Sequence, residues 1–113
     1  MPDTRAALQR MLREGREARE LAERFGPHWS SDIAGFKSVL KSLENMGEEV
    51  HVGKVDDAFM ATHPQTNWAA IEAFRHISVH DYEKVRRELV EGIVAHHLDD
   101  TIRQLEAHLR EPG

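Results

Sequence analysis

The chain reads as an all-α protein, a bundle of four to five helices forming one domain over residues 1–113, on three observations. Apolar residues recur at spacings of three and four through most of its length, start and stop residues bracket those runs, and no strand-like alternation of useful length occurs. There are no internal repeats and no low-complexity linker.

A first helix is predicted from Asp3 or Thr4, both suitable N-caps, to about Arg24, because Leu8, Met11, Leu12, Ala18, Leu21, Ala22 and Phe25 share one face. Gly26-Pro27 stops it. Ser30-Ser31-Asp32 opens a longer helix in which Ile33, Phe36, Leu40, Leu43, Gly47 and Val50 step by three and four. Gly47 lies in that apolar seam. Either its missing side chain admits a neighbouring backbone, or it marks a local break after Met46.

Between Val52 and Pro64 the pattern weakens, with Val55, Phe59 and Met60 suggesting helical turns that His63-Pro64 ends. Thr66-Asn67 caps a helix that starts at Trp68 and runs through Ala69, Ala70, Ile71, Ala73 and Phe74 into the stretch beyond. Val85, Leu89 and Ile93 mark the next helix. Leu98, Ile102, Leu105 and Leu109 mark the last, which ends before Pro112-Gly113.

A composition of 40% apolar and 31% charged residues fits a folded globular chain rather than a disordered one. The net charge of -5 excludes nucleic-acid binding by bulk positive charge, so any RNA contact must be local. With no cysteine there are no disulfides, thiolate nucleophiles or cysteine zinc sites. No apolar run approaches the roughly 18 residues of a membrane span, and the N-terminus is not a signal peptide. A cytoplasmic protein without membrane attachment is expected.

The densest chemistry lies in Arg75-His76-Ile77-Ser78-Val79-His80-Asp81-Tyr82, which holds the only tyrosine of the chain. On a regular helix His76 and His80 would lie side by side, with Glu72 one turn before them. Arg75 and His80, five positions apart, would point about 140° away from each other. They converge only if the helix is distorted or if a second chain brings them together. Arg103 and His108 repeat the spacing in the last helix, without a following tyrosine, and read as solvated surface.

Three landmarks resemble the HepT-like toxins of bacterial and archaeal toxin-antitoxin pairs, members of the HEPN superfamily of helical ribonucleases. Ser38-Val39-Leu40-Lys41-Ser42-Leu43-Glu44-Asn45-Met46-Gly47-Glu48-Glu49 is similar to the family's glycine-containing second helix. His63-Pro64-Gln65-Thr66-Asn67-Trp68 resembles the loop and tryptophan that open its third. Phe74 to Tyr82 resembles the active-site signature of an arginine, four residues, a histidine, one residue and a tyrosine. One position departs: the family usually has asparagine directly after the arginine, where this chain has His76. The first twenty-five residues match only as a generic amphipathic helix.

The resemblance implies an endoribonuclease without cofactor or metal, whose site forms where two copies of the chain meet. His80 would transfer protons, because an ordinary imidazole pKa of about 6.5 leaves both forms available. Arg75 would hold the scissile phosphate with its planar fork. His76 and Asp81 would support them, and Lys84, Arg86 and Arg87 would supply a local positive field for the RNA, tRNA being one candidate. The implied partner is a minimal nucleotidyltransferase antitoxin that attaches AMP to Tyr82, in a homodimer or a larger toxin-antitoxin assembly. The His76 departure implies either a weakened nuclease or an imidazole that has taken over the hydrogen-bonding role.

Two rival readings rest on the same residues. Glu72, His76 and His80, completed by His96 or His97, could hold a metal ion. The domain could instead be a non-catalytic interaction module that keeps the dimer and binds a partner protein. Without any function, Arg75 and His80 would be surface ion-pairing groups for Asp81 or Glu72, and Tyr82 an anchor for the next helix.

Overall fold

The computed structural model describes residues 3–77 and 84–112, with side chains at all of these except 84–86. Among the described residues there are six α-helical segments and no strand. Two of the six are only six residues long, which accounts for the excess over the four to five helices expected.

Helix α1, Thr4–Phe25, is capped by Asp3, whose carboxylate accepts from the Ala6 N–H at 3.0 Å. It ends at Gly26, whose N–H donates to the carbonyls of Ala22 and Glu23 and whose φ of 81°, suited to glycine, turns the chain away from the helix. Helix α2, Ile33–His51, is capped in the same way by Asp32, which accepts from the Gly35 N–H at 3.0 Å. Arg10 forms a two-pronged ion pair with Glu49, and Glu14 accepts from Asn45. Partners advance on α1 as they retreat on α2, so the two helices pack antiparallel.

Helix α6, Leu98–Arg110, lies antiparallel to α1 through Arg16–Glu106 and Arg19–Asp99. Helix α5, Lys84–His96, is tied in from two sides: Arg19 donates to the Val94 carbonyl at 3.0 Å, and the Ser30 hydroxyl donates to Glu91 at 2.6 Å. The core at the centre consists of Met11, Phe36, Leu40, Leu43, Met46, Val90, Leu98 and Leu105, all essentially removed from water. Burying each such side chain contributes about 1.5–3 kcal/mol before conformational entropy is subtracted.

Three expectations about which residues face inward are corrected. Leu89 is exposed; α5 buries Ile93 as expected, together with Val90 and Val94 on the adjoining stripe. The sequence carries two overlapping apolar stripes there, and the packing partners α6 and α1 select the second. Ile33 is exposed at the first position of α2, ahead of the stripe that Phe36 begins. Phe25, at the end of α1, is 39% exposed, although its ring closes over Gly35.

The short helices complete the bundle. Helix α3, Asp57–Thr62, is capped by Asp56, and α4, Trp68–Ala73, by Asn67, whose side chain accepts from the Ala70 N–H at 3.0 Å. The α-helix stops at Ala73, sooner than the sequence pattern implied, and a single 3-10 turn, Phe74–His76, follows it. Ile77 then adopts an extended conformation with its side chain buried. No helix among the described residues is long and apolar enough to cross a membrane.

Candidate active site

The position of Arg75 is set from α2. Gly47 does not break that helix, which runs unbroken to His51. A Cβ there would stand 2.6 Å from the Ile71 carbonyl oxygen and 3.0 Å from the Arg75 nitrogen and the Glu72 carbonyl, so α4 and the 3-10 turn rest directly on the glycine. Of the two roles open for Gly47 in the sequence, close backbone approach is the one adopted.

From that seat the Arg75 side chain reaches back along α2, where its Nε donates to Glu48 at 3.3 Å. Its other contact is with its neighbour: Nη1 lies 3.3 Å from His76 Nε2. A guanidinium can only donate, so His76 accepts through the Nε2 lone pair. Glu72 turns instead to His51, 3.4 Å from its Nδ1. Arg75 is a quarter exposed, placed to meet an anion from solvent while one face of its fork is already engaged.

His76, Phe74 and Ile77 line a groove of about 610 Å³ together with Leu89, Ile93 and His97. Arg87, on the α5 side, is held by Glu91 at 3.7 Å. Lys84 and Arg86 lie in the first turn of α5. His80, Asp81 and Tyr82 fall outside the described residues, as do the side chains of Lys84 and Arg86. Of the predicted site, therefore, Arg75 and His76 are brought together, and Arg87 lies on a separate element.

The rival metal set does not converge as far as it is described: Glu72, His76, His96 and His97 supply no group of three donors. A different cluster does. His108, expected on solvated surface, is 3% exposed, because it follows Leu105 by three and so lies on the buried stripe of α6, while Arg103 sits about 140° away and pairs with Asp100. Its Nε2 is 2.8 Å from the Thr66 hydroxyl, and its ring packs against Phe59 and Trp68. Burial, with His63 beside it, holds the His108 pKa below the ordinary histidine value. The hydrogen bond to the Phe59 carbonyl, reinforced by Glu111, raises that of His63. The missed signal was the i, i+3 relation to Leu105.

The antiparallel α1–α2 pair, the glycine seat and the arginine-histidine turn define an all-helical domain that holds a basic turn against its second long helix. The chain belongs to the HepT-like family: the family model described as "Ribonuclease HepT-like" matches residues 11–108. No curated protein and no solved structure matches the chain.

Proposed function

We propose that the chain is an RNA-cleaving toxin whose active site combines Arg75 with His80. The observation that carries the reading is the seating of Arg75: within a family of HepT-like ribonucleases, Gly47 brings the backbone of its turn onto α2 and leaves the guanidinium at the surface beside His76.

The chemistry follows from the side chains. A neutral imidazole of His80 takes the proton of a ribose 2′-hydroxyl, whose oxygen attacks the adjacent phosphorus. The bond from phosphorus to the 5′-oxygen breaks, an imidazolium returns a proton to that oxygen, and a 2′,3′-cyclic phosphate remains. Arg75 offsets the charge that grows on the phosphoryl oxygens. The α-helix ends before Arg75, so the two residues are not held apart by a regular helix. It is the resemblance to dimeric HEPN nucleases that leads the reading to join Arg75 of one chain to His80 of a second. Exposed Leu89, beside the groove, offers apolar surface for that contact. His76 fills the hydrogen-bonding place next to the arginine.

Tyr82 is the proposed control point. A minimal nucleotidyltransferase would transfer AMP from ATP to its phenolic oxygen, with pyrophosphate leaving. The added phosphodiester brings negative charge and a base to the phosphate-binding groups, which silences the site.

Incubation of the purified chain with RNA tests the reading. Cleavage leaving cyclic phosphate ends, lost in His80→Ala and Arg75→Ala, is the expected result, and cleavage that survives His80→Ala would remove that residue from the mechanism. Tyr82→Phe should cut RNA as the wild type does and gain no AMP mass when co-expressed with the nucleotidyltransferase. An AMP adduct on that variant would contradict the assignment.

A further inference from the structure

We propose that His63, His108 and Glu111 bind a divalent transition-metal ion of the zinc class, fastening the loop before α4 to the end of α6. They come from two distant parts of the chain, the loop before α4 and the end of α6, yet one donor atom from each lies within 4.8 Å of the other two. His63 Nε2 is already 2.8 Å from the Glu111 carboxylate, and the His63 and His108 ring centres are 4.7 Å apart.

The hydrogen bonds around the rings support the proposal independently. His63 Nδ1 donates to the Phe59 carbonyl at 2.8 Å, which leaves Nε2 with the lone pair in the neutral ring. His108 Nε2 bonds to Thr66, so Nδ1 is its remaining nitrogen. That atom is buried in a residue only 3% exposed and has no hydrogen-bond partner. A buried nitrogen left bare costs stability, and coordination would remove the cost. Each imidazole thus has one nitrogen fixed by a neighbour, while the other is shared only with Glu111 in His63 and has no partner in His108, and fixing one nitrogen is what orients a ligating histidine.

Two imidazoles and one carboxylate suit a borderline ion such as Zn²⁺, whereas Ca²⁺ and Mg²⁺ take oxygen donors. Metal bonds of about 2.0–2.2 Å require the donors to close in slightly. Glu111 can supply that movement, since it follows the last turn of α6 and is half exposed. A water or another donor would take the fourth position. The ion joins residues 45 to 48 apart in sequence, bracing the segment that leads into Asn67 and α4. The role is structural and separate from the proposed RNA chemistry.

The test uses the whole chain, purified without a histidine tag and stripped by chelator, and titrated with Zn²⁺ by calorimetry, with Co²⁺ as an optical probe. One ion per chain, a tetrahedral Co²⁺ spectrum and a melting temperature that rises with Zn²⁺ are expected. Glu111→Gln, at an exposed position that leaves the fold intact, and His63→Gln should each weaken binding about tenfold or more, and Thr66→Val about tenfold. Absence of saturable binding, or binding undiminished in both Glu111→Gln and His63→Gln, would overturn the site in favour of a His63–Glu111 ion pair alone. Neither readout depends on whether the chain cleaves RNA.

Discussion

Gly47 of α2 lies against the backbone of α4 at Ile71, where a side chain's first carbon would come within 2.6 Å of the carbonyl oxygen. This contact limits how closely the Arg75 turn can approach α2. Gly47→Ala gains about 1 kcal/mol of helix propensity, but a backbone oxygen cannot step aside as a side chain can, and overpacking costs about 1–3 kcal/mol or more. The variant should be destabilised overall in denaturant unfolding. Gly15→Ala provides the contrast, since its new methyl would meet only the side chains of Ile102 and Met46, at 3.3 Å and beyond. Its stability should stay within about 1 kcal/mol of wild type. Equal stability for both variants would show that the glycine seat is not tight.

Glu48 occupies one face of the Arg75 guanidinium. The pair is solvent-exposed enough that Glu48→Gln should change stability by less than about 1 kcal/mol. Freed from its carboxylate, Arg75 should bind RNA more tightly and with a steeper dependence on salt. Fluorescence anisotropy across a salt series measures both. Weaker binding would mean that Glu48 orients the arginine rather than competing with the phosphate.

His76 accepts a hydrogen bond from Arg75, a service an asparagine carbonyl could also provide. His76→Ala should therefore lower kcat/KM by about three- to tenfold, the worth of one ordinary hydrogen bond, while His76→Asn should stay near wild type. A loss in His76→Asn as large as in His76→Ala would show that the imidazole does something an amide cannot.

Most of the fold was legible because local signals agree with tertiary packing. Asp32 and Asn67 cap the helices that their sequences announce, and Gly26 takes the positive φ that ends α1. The errors arise where two patterns overlap. In α5 both Leu89 and Val90 belong to plausible apolar stripes, and only the neighbouring helices decide between them. His108 was paired in sequence with Arg103, which concealed its place three residues after Leu105 on the buried face. The early end of α4 has no local signal, since Phe74 and Arg75 are acceptable in an α-helix; the tightening falls where that backbone meets Gly47. The arginine of the site could be read and placed, whereas His80, Asp81 and Tyr82 lie beyond the described residues.

Subunit mixing tests most directly whether Arg75 and His80 act from opposite chains. Arg75→Ala and His80→Ala, each inactive alone, should regain cleavage when unfolded and refolded together, because a mixed pair keeps one intact arginine-histidine combination. Random pairing of two chain types in a two-fold dimer predicts roughly a quarter of the wild-type rate. A refolded mixture as inactive as its components, while refolded wild type regains full activity, would contradict the shared site.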